Sequence, residues 1–486
     1  MYPHDQNQLE LDNFVLPFGG KLNPENRWVK LSKIIPWAEI EAKYIKALEN
    51  SGYGSPAKSV RVALGALIIK ERQGVSDREL VEQISENPYM QYFLGFKEFS
   101  DEPPFHHSMM VHFRKRISME MIAEVNHAIA QKEAQEKQNP SDDNDSDPPP
   151  PSANKGKLLV DATCAPADIT FPTDLKLLNK AREKSEEIID ILHDRFIGIN
   201  PKPRTYRKKA RKNFLSVAKS KRVSRAKKRK AIRKQLGYLG RNLRNINRLV
   251  KAGSLLDLDD ADYKNLLVIS EVFRQQKWMY DNKENKISDR IVSISQPHVR
   301  PIKRGKAGAS TEFGAKISAS LVNGYCFLDR MGWDNYNEST NLIDQIKSYK
   351  VRFGFYPSSV HADQIYRTRK NIAFCKEHGI RISGPGLGRP PKDLSKRLAQ
   401  REQSRRDELD RIPIEGKFGQ GKRRFSLSRI MCKLARTSET AIAMIFLVMN
   451  LEKRLRARCF NIFSLILWGL MTEAESKELT VDSRAA

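Results

Sequence analysis

The stretch Lys157-Leu158-Leu159-Val160-Asp161-Ala162-Thr163 is a short apolar run that contains one carboxylate. It follows a segment of Gln, Asn, Ser, Asp and Pro, and an apolar run bounded by such residues is typical of a buried strand. A carboxylate at the end of a buried strand is costly unless it has a partner or binds a metal ion. Asp161 is therefore the first candidate for a functional residue.

The segment before this strand divides the chain. Residues 131–156 contain an acidic run and then a run of prolines, with almost no apolar side chains, so we expect a disordered linker there. We expect a helical N-terminal domain over residues 1–130, which we predict to bind DNA, and a second, catalytic domain over residues 157–471. A polar C-terminal tail follows at residues 472–486.

Charge is the most informative bulk property of the chain. The 86 Lys and Arg residues exceed the 58 acids, and the formal net charge is +28. Such an excess favours a polyanionic partner, usually nucleic acid. The five cysteines are odd in number and widely separated, which argues against a disulfide framework or a zinc finger and fits a reducing cytoplasm. Two apolar blocks, at 441–451 and 460–471, are shorter than the ~20 residues of a membrane span, so we expect no membrane contact.

The N-terminal part contains two helices joined by a short turn. Residues 59–72 place apolar side chains at helical spacing, and Gly74 ends that helix. The stretch Ser76-Asp77-Arg78-Glu79 is a capping box that begins the second helix. This order is the pattern of a DNA-binding helix-turn-helix, and a plain helical hairpin is the commoner alternative.

A strongly basic block follows the first strand. Between Asp194 and Asp257 the sequence contains no acid, whereas Lys and Arg recur throughout. We expect a helical insertion over about residues 175–289. A charge run is usually a solvated face, but one of this length repels itself unless an anion neutralises it. We therefore predict contacts to the DNA phosphate backbone, most densely from Lys227, Lys228, Arg229 and Lys230.

From residue 290 the pattern changes to that of strands. Residues 290–294 and 315–328 alternate, and Asn323-Gly324 predicts a hairpin turn in the second run. Further short strands are predicted at 359–363, which ends in Asp363, and at 380–383. Helices are predicted around them at 341–350, 366–378 and 393–410. This order predicts an α/β domain with a mixed sheet.

Asp161 and Asp363 each end a strand of this predicted sheet. Carboxylates at strand ends can lie close enough to bind two divalent ions, which activate a water or hydroxyl for attack on a phosphodiester. Oxygen ligands with open positions suit Mg²⁺ or Mn²⁺. The alternative is that each Asp serves only as a turn or cap residue.

A third acid is indicated by the stretch Arg411-Ile412-Pro413-Ile414-Glu415-Gly416-Lys417-Phe418-Gly419-Gln420-Gly421-Lys422. It resembles the signature around the third acid of bacterial insertion-sequence transposases of the DDE type, in the insertion-sequence-five class. That motif is an Arg, three residues, a Glu, six residues and a Lys, and Arg411, Glu415 and Lys422 fit this spacing. The family often has a Tyr three places before the Arg, where this chain has Glu408.

Other segments resemble the same family in the same order. Residues 158–163 and 360–363 resemble its first and second acid strands, and residues 56–118 resemble its N-terminal domain. The resemblance implies an RNase H-like catalytic core with a helical insertion, preceded by an all-α N-terminal domain. It also implies that Asp161, Asp363 and Glu415 bind two Mg²⁺ or Mn²⁺ ions, and that the nearby cations contact DNA, namely Arg411, Lys422 and Arg423.

The resemblance further implies a reaction and partners. The expected activity is binding of the element's terminal inverted repeats, cleavage at its ends and strand transfer into target DNA. The expected partner is double-stranded DNA, with a homodimer or larger assembly because two ends must be joined, in a bacterial cytoplasm at the nucleoid. The alternatives are an RNase H-like metal-dependent nuclease, an inactive DNA-binding relic of a transposase, and a basic RNA-binding protein, which would not explain the three acids.

Overall fold

The computed structural model describes residues 13–16, 19–47, 56–138, 154–303, 311–384 and 393–457. The described residues of the N-terminal part fold into helices: α1 (Arg27–Ile34), α2 (Trp37–Ala47), α3 (Val60–Gln73), α4 (Asp77–Glu86), α5 (Pro88–Leu94), α6 (Met109–Arg116) and α7 (Met119–Gln138).

Helix α3 is the centre of this helical part. The Ser59 Oγ accepts from the Val62 amide at its start, and Gly74 ends it at φ +70°, in the left-handed region that favours glycine. Its sequence spacing predicted one apolar face, but ten of its residues are buried, from Val60 to Glu71. The neighbouring helices α1, α2, α5 and α6 cover the other faces, which explains the difference.

Helix α4 begins where the capping box predicted. The Ser76 Oγ accepts from the Glu79 amide at 3.2 Å, and the Glu79 carboxylate accepts from Gln83. The helix ends at Glu86, before Pro88. The helix-turn-helix order of α3 and α4 is thus present as local structure.

Helix α7 continues through Gln138, into the stretch 131–156 for which we expected a linker. The extension is stabilised by contacts with the second half of the chain. The Gln131 Nε2 donates to the Arg352 carbonyl at 2.9 Å, and the Glu133 carboxylate pairs with Lys453 at 3.3 Å. Residues 139–153 of the expected linker lie outside the described residues.

The second part of the chain is built on a mixed sheet with the order β2-β3-β1-β5-β6, in which β4 also pairs with β3. Strand β1 is central, antiparallel to β3 and parallel to β5. Strands β2 and β4 pair with successive parts of β3. The α/β class with a mixed sheet agrees with the sequence prediction. The strands are β1 (Lys157–Pro166), β2 (Arg300–Lys303), β3 (Thr311–Val322), β4 (Tyr325–Gly332), β5 (Ser359–His361) and β6 (Arg381–Ile382).

The predicted hairpin is confirmed. Asn323 and Gly324 join β3 to β4 with φ of +49° and +80°, the two positive values that a type I′ turn requires. This turn fixes the pairing of β3 with β4, in which Val322 is opposite Tyr325.

The prediction of a strand at residues 290–294 is wrong. The apolar side chains Ile291 and Ile294 are buried in the core of the helical insertion. The Ile291 amide donates to the Gln275 side-chain oxygen at 2.9 Å rather than to a neighbouring strand. The alternation of this segment therefore reflects packing against helices.

The insertion between β1 and β2 is helical, as predicted. Its main apolar core is formed by three of its four helices with Ile291 and Ile294 and is separate from the core under the sheet, whereas the helix at residues 207–218 packs in a smaller cluster through Val217. The predicted leucine face is buried in the main core, including Leu236, Leu239 and Ile246. The helices are α8 (Asp174–Asp194), α9 (Arg207–Ala218), α10 (Arg225–Ala252) and α11 (Asp260–Asp281).

The remaining helices pack beside the sheet. They are α12 (Leu342–Phe353), α13 (Arg369–Glu377), α14 (Leu394–Arg424) and α15, described over residues 435–457. The sequence predicted a helix over residues 393–410, but α14 continues through Pro413 to Arg424. Pro413 lacks the amide that would donate to the Leu409 carbonyl, and both residues are exposed.

Candidate active site and DNA-contacting surfaces

The prediction that Asp161 ends its strand is wrong, because β1 continues to Pro166 through its pairing with β3, whereas Asp363 does follow the end of β5. The pairing of β1 with β5 ends at Leu159 opposite His361, and Asp161 and Asp363 each follow that pair by two residues. Because side chains alternate along a strand, Asp161 lies on the face that also carries Lys157. The Lys157 Nζ lies 2.7 Å from the Asp410 Oδ2, so α14 covers this face.

Asp161 is half-buried, and its environment disfavours the charged form. The Oδ1 atom accepts from the Ala162 amide at 2.8 Å. Burial raises the pKa of Asp161 to about 6, the Ala162 bond and the Arg411 charge oppose this, and the carboxylates of Glu338 and Glu415 add to it. A carboxylate in this position gains from a further positive charge.

Helix α14 brings Arg411 and Glu415 to the same region. The two residues are one turn apart, and the Arg411 Nη2 lies 2.9 Å from the Glu415 Oε1. Ile414 and Phe418 are buried, which sets the rotation of the helix on the sheet. The Glu415 side chain remains 54% exposed, so a ligand from solvent can reach its carboxylate.

Asp363 has the role of a local cap. Its Oδ1 accepts from the Gln364 amide at 2.7 Å and begins a short 3-10 turn over Gln364–Tyr366. Its side chain is exposed, as the alternative prediction for strand-terminal Asp residues allows. One carboxylate oxygen accepts this bond, and a carboxylate has further lone pairs for other partners.

Asp161 and Glu415 interact electrostatically, but among the residues that the structure describes the three predicted acids do not form a tight cluster. Within the described residues, metal-ligating side chains whose ligand atoms all lie within 4.8 Å of one another occur at His361, Asp407 and Asp410 instead. The predicted acids still fit a divalent ion. They supply oxygen donors, which Mg²⁺ and Mn²⁺ prefer, and the negative charges of Glu338 and Glu415 near Asp161 are ones that a cation would offset.

Sequence reasoning missed Glu338 and Tyr366, and no spacing in the sequence points to either. Glu338 follows β4 and pairs with Lys316 at 3.1 Å. The Tyr366 hydroxyl is buried with no hydrogen-bond partner among the described residues. Burial and the carboxylates of Glu338 and Asp161 raise the Tyr366 pKa. Both residues therefore belong to the surroundings of Asp161.

The predicted DNA-contacting cations at the end of α14 lie in its last turn. Lys422 is half-buried and Arg423 is exposed. Arg424, next to them, is held by Glu452 at 3.1 Å. Cations in a last helical turn are also favoured by the helix dipole.

The four predicted cations of α10 divide into two kinds. Lys227, Lys228 and Lys230 are exposed. Arg229 is half-buried, donates to the Tyr280 carbonyl at 2.8 Å and lies 4.1 Å from the centre of its ring. Arg229 therefore joins α10 to α11, whereas the three lysines face solvent. A groove on α9 adds further cations, lined by Lys208, Arg211, Lys212 and Lys219.

The exposed face of α4, the second helix of the predicted helix-turn-helix, is acidic. Its exposed side chains are Arg78, Glu79, Glu82 and Glu86. A net negative face is repelled by DNA phosphates, which favours the plain helical hairpin for α3 and α4. The Arg114 guanidinium on α6 forms an ion pair with the Asp77 carboxylate at 2.5 Å, so its charge is already neutralised within the protein.

None of the helices within the described ranges combines the length and apolar character that a membrane span requires. Of the two apolar blocks, residues 441–451 lie in α15, and residues 460–471 lie outside the described residues, as does the predicted C-terminal tail at 472–486.

Comparison with known proteins gives two family matches. Residues 360–452 match the family described as "Transposase DDE domain", and residues 17–116 match "Transposase domain (DUF772)". A protein of Rhizobium meliloti described as "Uncharacterized protein ORF8 in nfe locus" is 31% identical over 164 residues, which are 33% of this chain and 71% of that relative. No solved structure matches the chain significantly.

Proposed function

The chain belongs to the DDE-type transposases, and we propose that it binds the terminal inverted repeats of an insertion sequence and catalyses strand cleavage and strand transfer. The observation that carries this proposal is the placement of Asp161 and Asp363 two residues beyond one strand pair. Helix α14 adds Glu415 beside Arg411 on the same side of the sheet.

We also propose that the catalytic domain is RNase H-like and of the insertion-sequence-five class. The strand order supports the first assignment, because antiparallel β3 and parallel β5 flank the central β1 that carries the first acid. The spacing of Arg411, Glu415 and Lys422 supports the second.

The proposed metal ligands are Asp161, Asp363 and Glu415, which would hold two Mg²⁺ or Mn²⁺ ions. Such ions, when bound, activate the attacking water or 3′-hydroxyl and stabilise charge on the phosphate. Asp161 orients its carboxylate through the bond from the Ala162 amide. Its pKa of about 6 leaves most of it ionised, and able to ligate, at neutral pH.

The proposed phosphate ligands are Arg411 and the last turn of α14. Arg411 offers a planar fork for two phosphate oxygens, and Lys422 offers a point charge. Arg423 is exposed on the same turn. These cations would hold the DNA next to the scissile bond, while the distant α10 lysines, Lys227, Lys228 and Lys230, would contact the backbone without reading sequence.

The assembly is proposed to be a homodimer or larger, because strand transfer of an element joins two ends to one target. A metal-dependent nuclease on the same acids, and an inactive DNA-binding relic, are the alternatives. Both share the fold and the basic surfaces, so the reaction products must distinguish them.

The test is a strand-transfer assay with the full-length protein, Mg²⁺ or Mn²⁺, and duplexes that carry the inverted repeats flanking the gene. One duplex is intact and one is pre-cut to expose the 3′-hydroxyl. Joining of the pre-cut duplex to a target plasmid supports the transposase. Cleavage of the intact duplex without joining supports the nuclease, and binding without either reaction supports the relic. A matched reaction with EDTA should give no product.

A further inference from the structure

A second group of metal-ligating residues lies beside the proposed catalytic acids. His361 is the last residue of β5 and is fully buried. Its Nε2 lies 3.0 Å from the Ser359 Oγ, which fixes the orientation of the ring. Its Nδ1 is buried and has no hydrogen-bond partner among the described residues. A buried ring nitrogen without a partner is costly, so its surroundings point to a ligand.

The Nδ1 atom points at two carboxylates of α14. It lies 3.7 Å from the Asp407 Oδ1 and 3.9 Å from the Asp410 Oδ2. These distances exceed the ~3.2 Å limit of a normal hydrogen bond. A cation about 2.0–2.1 Å from each of three ligand atoms holds them roughly 3.3 Å apart, so the two carboxylates must move inward, by about half an ångström toward Nδ1, to complete such a site.

The other partners of the two carboxylates leave room for a cation. Asp407 also accepts from Arg381 at 2.8 Å, from Gln403 at 3.1 Å and from the Gly384 amide at 3.4 Å. Asp410 pairs with Lys157, whose side chain is 56% exposed. The ammonium of Lys157 can therefore move to solvent and free the Asp410 oxygen for a stronger cation.

We propose that His361, Asp407 and Asp410 bind a first-row transition cation, Zn²⁺ or Mn²⁺, at a site separate from the catalytic acids. One imidazole nitrogen with two carboxylate oxygens is a donor set that such ions accept. The Ser359 contact to the other ring nitrogen is the outer-sphere support usual for a ligating His. Asp161 lies two residues beyond the level of His361, about 7 Å along the strand, so one ion cannot serve both groups.

A cation at this site would affect the position of α14 relative to β5. On α14, Asp407 is one turn before Arg411 and Asp410 is five residues before Glu415. His361 is two residues before Asp363. A cation bound here would join α14 to β5 and fix the register of the helix on the sheet. The site would thereby set the position of Glu415 relative to Asp363.

The test uses the full-length protein with Asp161→Asn, Asp363→Asn and Glu415→Gln, so that the catalytic acids cannot hold ions. Calorimetric titration with Zn²⁺ should show one site, and Co²⁺ should give the visible absorption of a bound low-coordinate ion. Adding His361→Gln should weaken Zn²⁺ binding more than the ~10–100-fold typical of losing an outer-sphere partner. The matched control, His112→Gln on the exposed side of α6, should bind as the parent does.

Two further variants separate loss of a ligand from loss of the fold. Asp410→Asn changes a partly exposed ligand and should also abolish the site while the circular dichroism spectrum is unchanged. Lys157→Met removes the competing ammonium and should tighten binding roughly fivefold, the upper range for an exposed ion pair. Unchanged Zn²⁺ binding in His361→Gln, or no stoichiometric binding in the starting protein, would overturn the proposal. Because that protein cannot catalyse transposition, the result is independent of the proposed function.

Discussion

Asp161 in β1 and Asp363 just after β5 each lie two residues beyond the pair of Leu159 and His361, where the parallel pairing of these strands ends. Because the two chains run in the same direction at this point, both carboxylates follow the same end of the parallel ladder. Helix α14 crosses this face and adds Glu415, which is paired with Arg411 at 2.9 Å. The sheet thus fixes two acids and the helix supplies the third.

Substitution of any of these acids should stop cleavage. We expect Asp161→Asn, Asp363→Asn and Glu415→Gln each to lower the cleavage rate by roughly a thousandfold or more, because each removes a proposed metal ligand without removing volume. Binding to the inverted repeats should be unchanged, since the basic surfaces remain. Cleavage rates and gel-shift titrations on the same preparations measure the two effects.

Glu408 supplies the matched control for Glu415. It is exposed on the same helix and, like Glu415, lies at helical spacing from Arg411. We expect Glu408→Gln to keep nearly full cleavage activity. Loss of activity in Glu408→Gln together with an active Glu415→Gln would assign the third acid to Glu408.

The pKa of Asp161 predicts a pH-dependent effect on stability. Its folded value of about 6 lies above its ordinary value of 3.8, so the native state favours the protonated acid. The stability that this preference contributes is full below about pH 4 and is lost as pH rises through 6. In metal-free protein, Asp161→Asn should therefore be more stable than the parent at pH 7.5, by about 1–3 kcal/mol.

Urea unfolding in EDTA at pH 7.5 and at pH 4 measures this difference. The gain of Asp161→Asn should disappear at pH 4, where both side chains are neutral. Asp363→Asn is a suitable control because Asp363 is exposed and Asn also caps a turn. Equal pH dependence of unfolding in the parent and in Asp161→Asn would show that ionisation of the Asp161 carboxyl does not destabilise the native state.

The parts of the fold that sequence predicted are those specified by local patterns. The β3–β4 hairpin follows from two positive φ values at Asn323 and Gly324, and the start of α4 follows from the Ser76 cap. The mixed sheet follows from the order of short apolar runs. In each case the determining residues are neighbours in the chain, so their spacing is visible in the sequence.

The elements that the sequence did not predict depend on tertiary packing. The alternation at 290–294 is that of a strand, yet Gln275 and the insertion core take up its amide and side chains. Pro413 normally ends or kinks a helix, yet α14 continues through it, and the buried side chains of Ile414 and Phe418 pack the residues beyond it against the protein. Glu338 approaches Asp161 only after the sheet has formed, so no spacing in the sequence could identify it.

Arg411 links the acids to one another, which predicts a change in the pH–rate profile. Its charge lowers the Asp161 pKa against the effect of burial. In Arg411→Gln this charge is absent, so the acid limb of the cleavage pH–rate profile should move to higher pH, and the rate should fall at every pH because a proposed phosphate ligand is lost. Arg411→Lys keeps the charge and should leave the acid limb in place while lowering the rate through loss of the planar fork. An unshifted acid limb in Arg411→Gln would contradict this coupling.

The exposed lysines of α10 should contribute to DNA affinity through counterion release. Replacing Lys227, Lys228 and Lys230 together by Gln should weaken binding of any duplex and reduce the slope of log affinity against log salt by roughly 2.7, if each contacts one phosphate.

Two control variants separate this effect from other losses. Arg229→Gln should lower thermal stability, since it breaks the bond to the Tyr280 carbonyl. Lys347→Gln, exposed on α12, is the control for a surface cation and should leave the slope unchanged. Fluorescence-anisotropy titrations at several salt concentrations give these slopes, and an unchanged slope in the triple variant would remove the α10 lysines from the DNA-contacting surface.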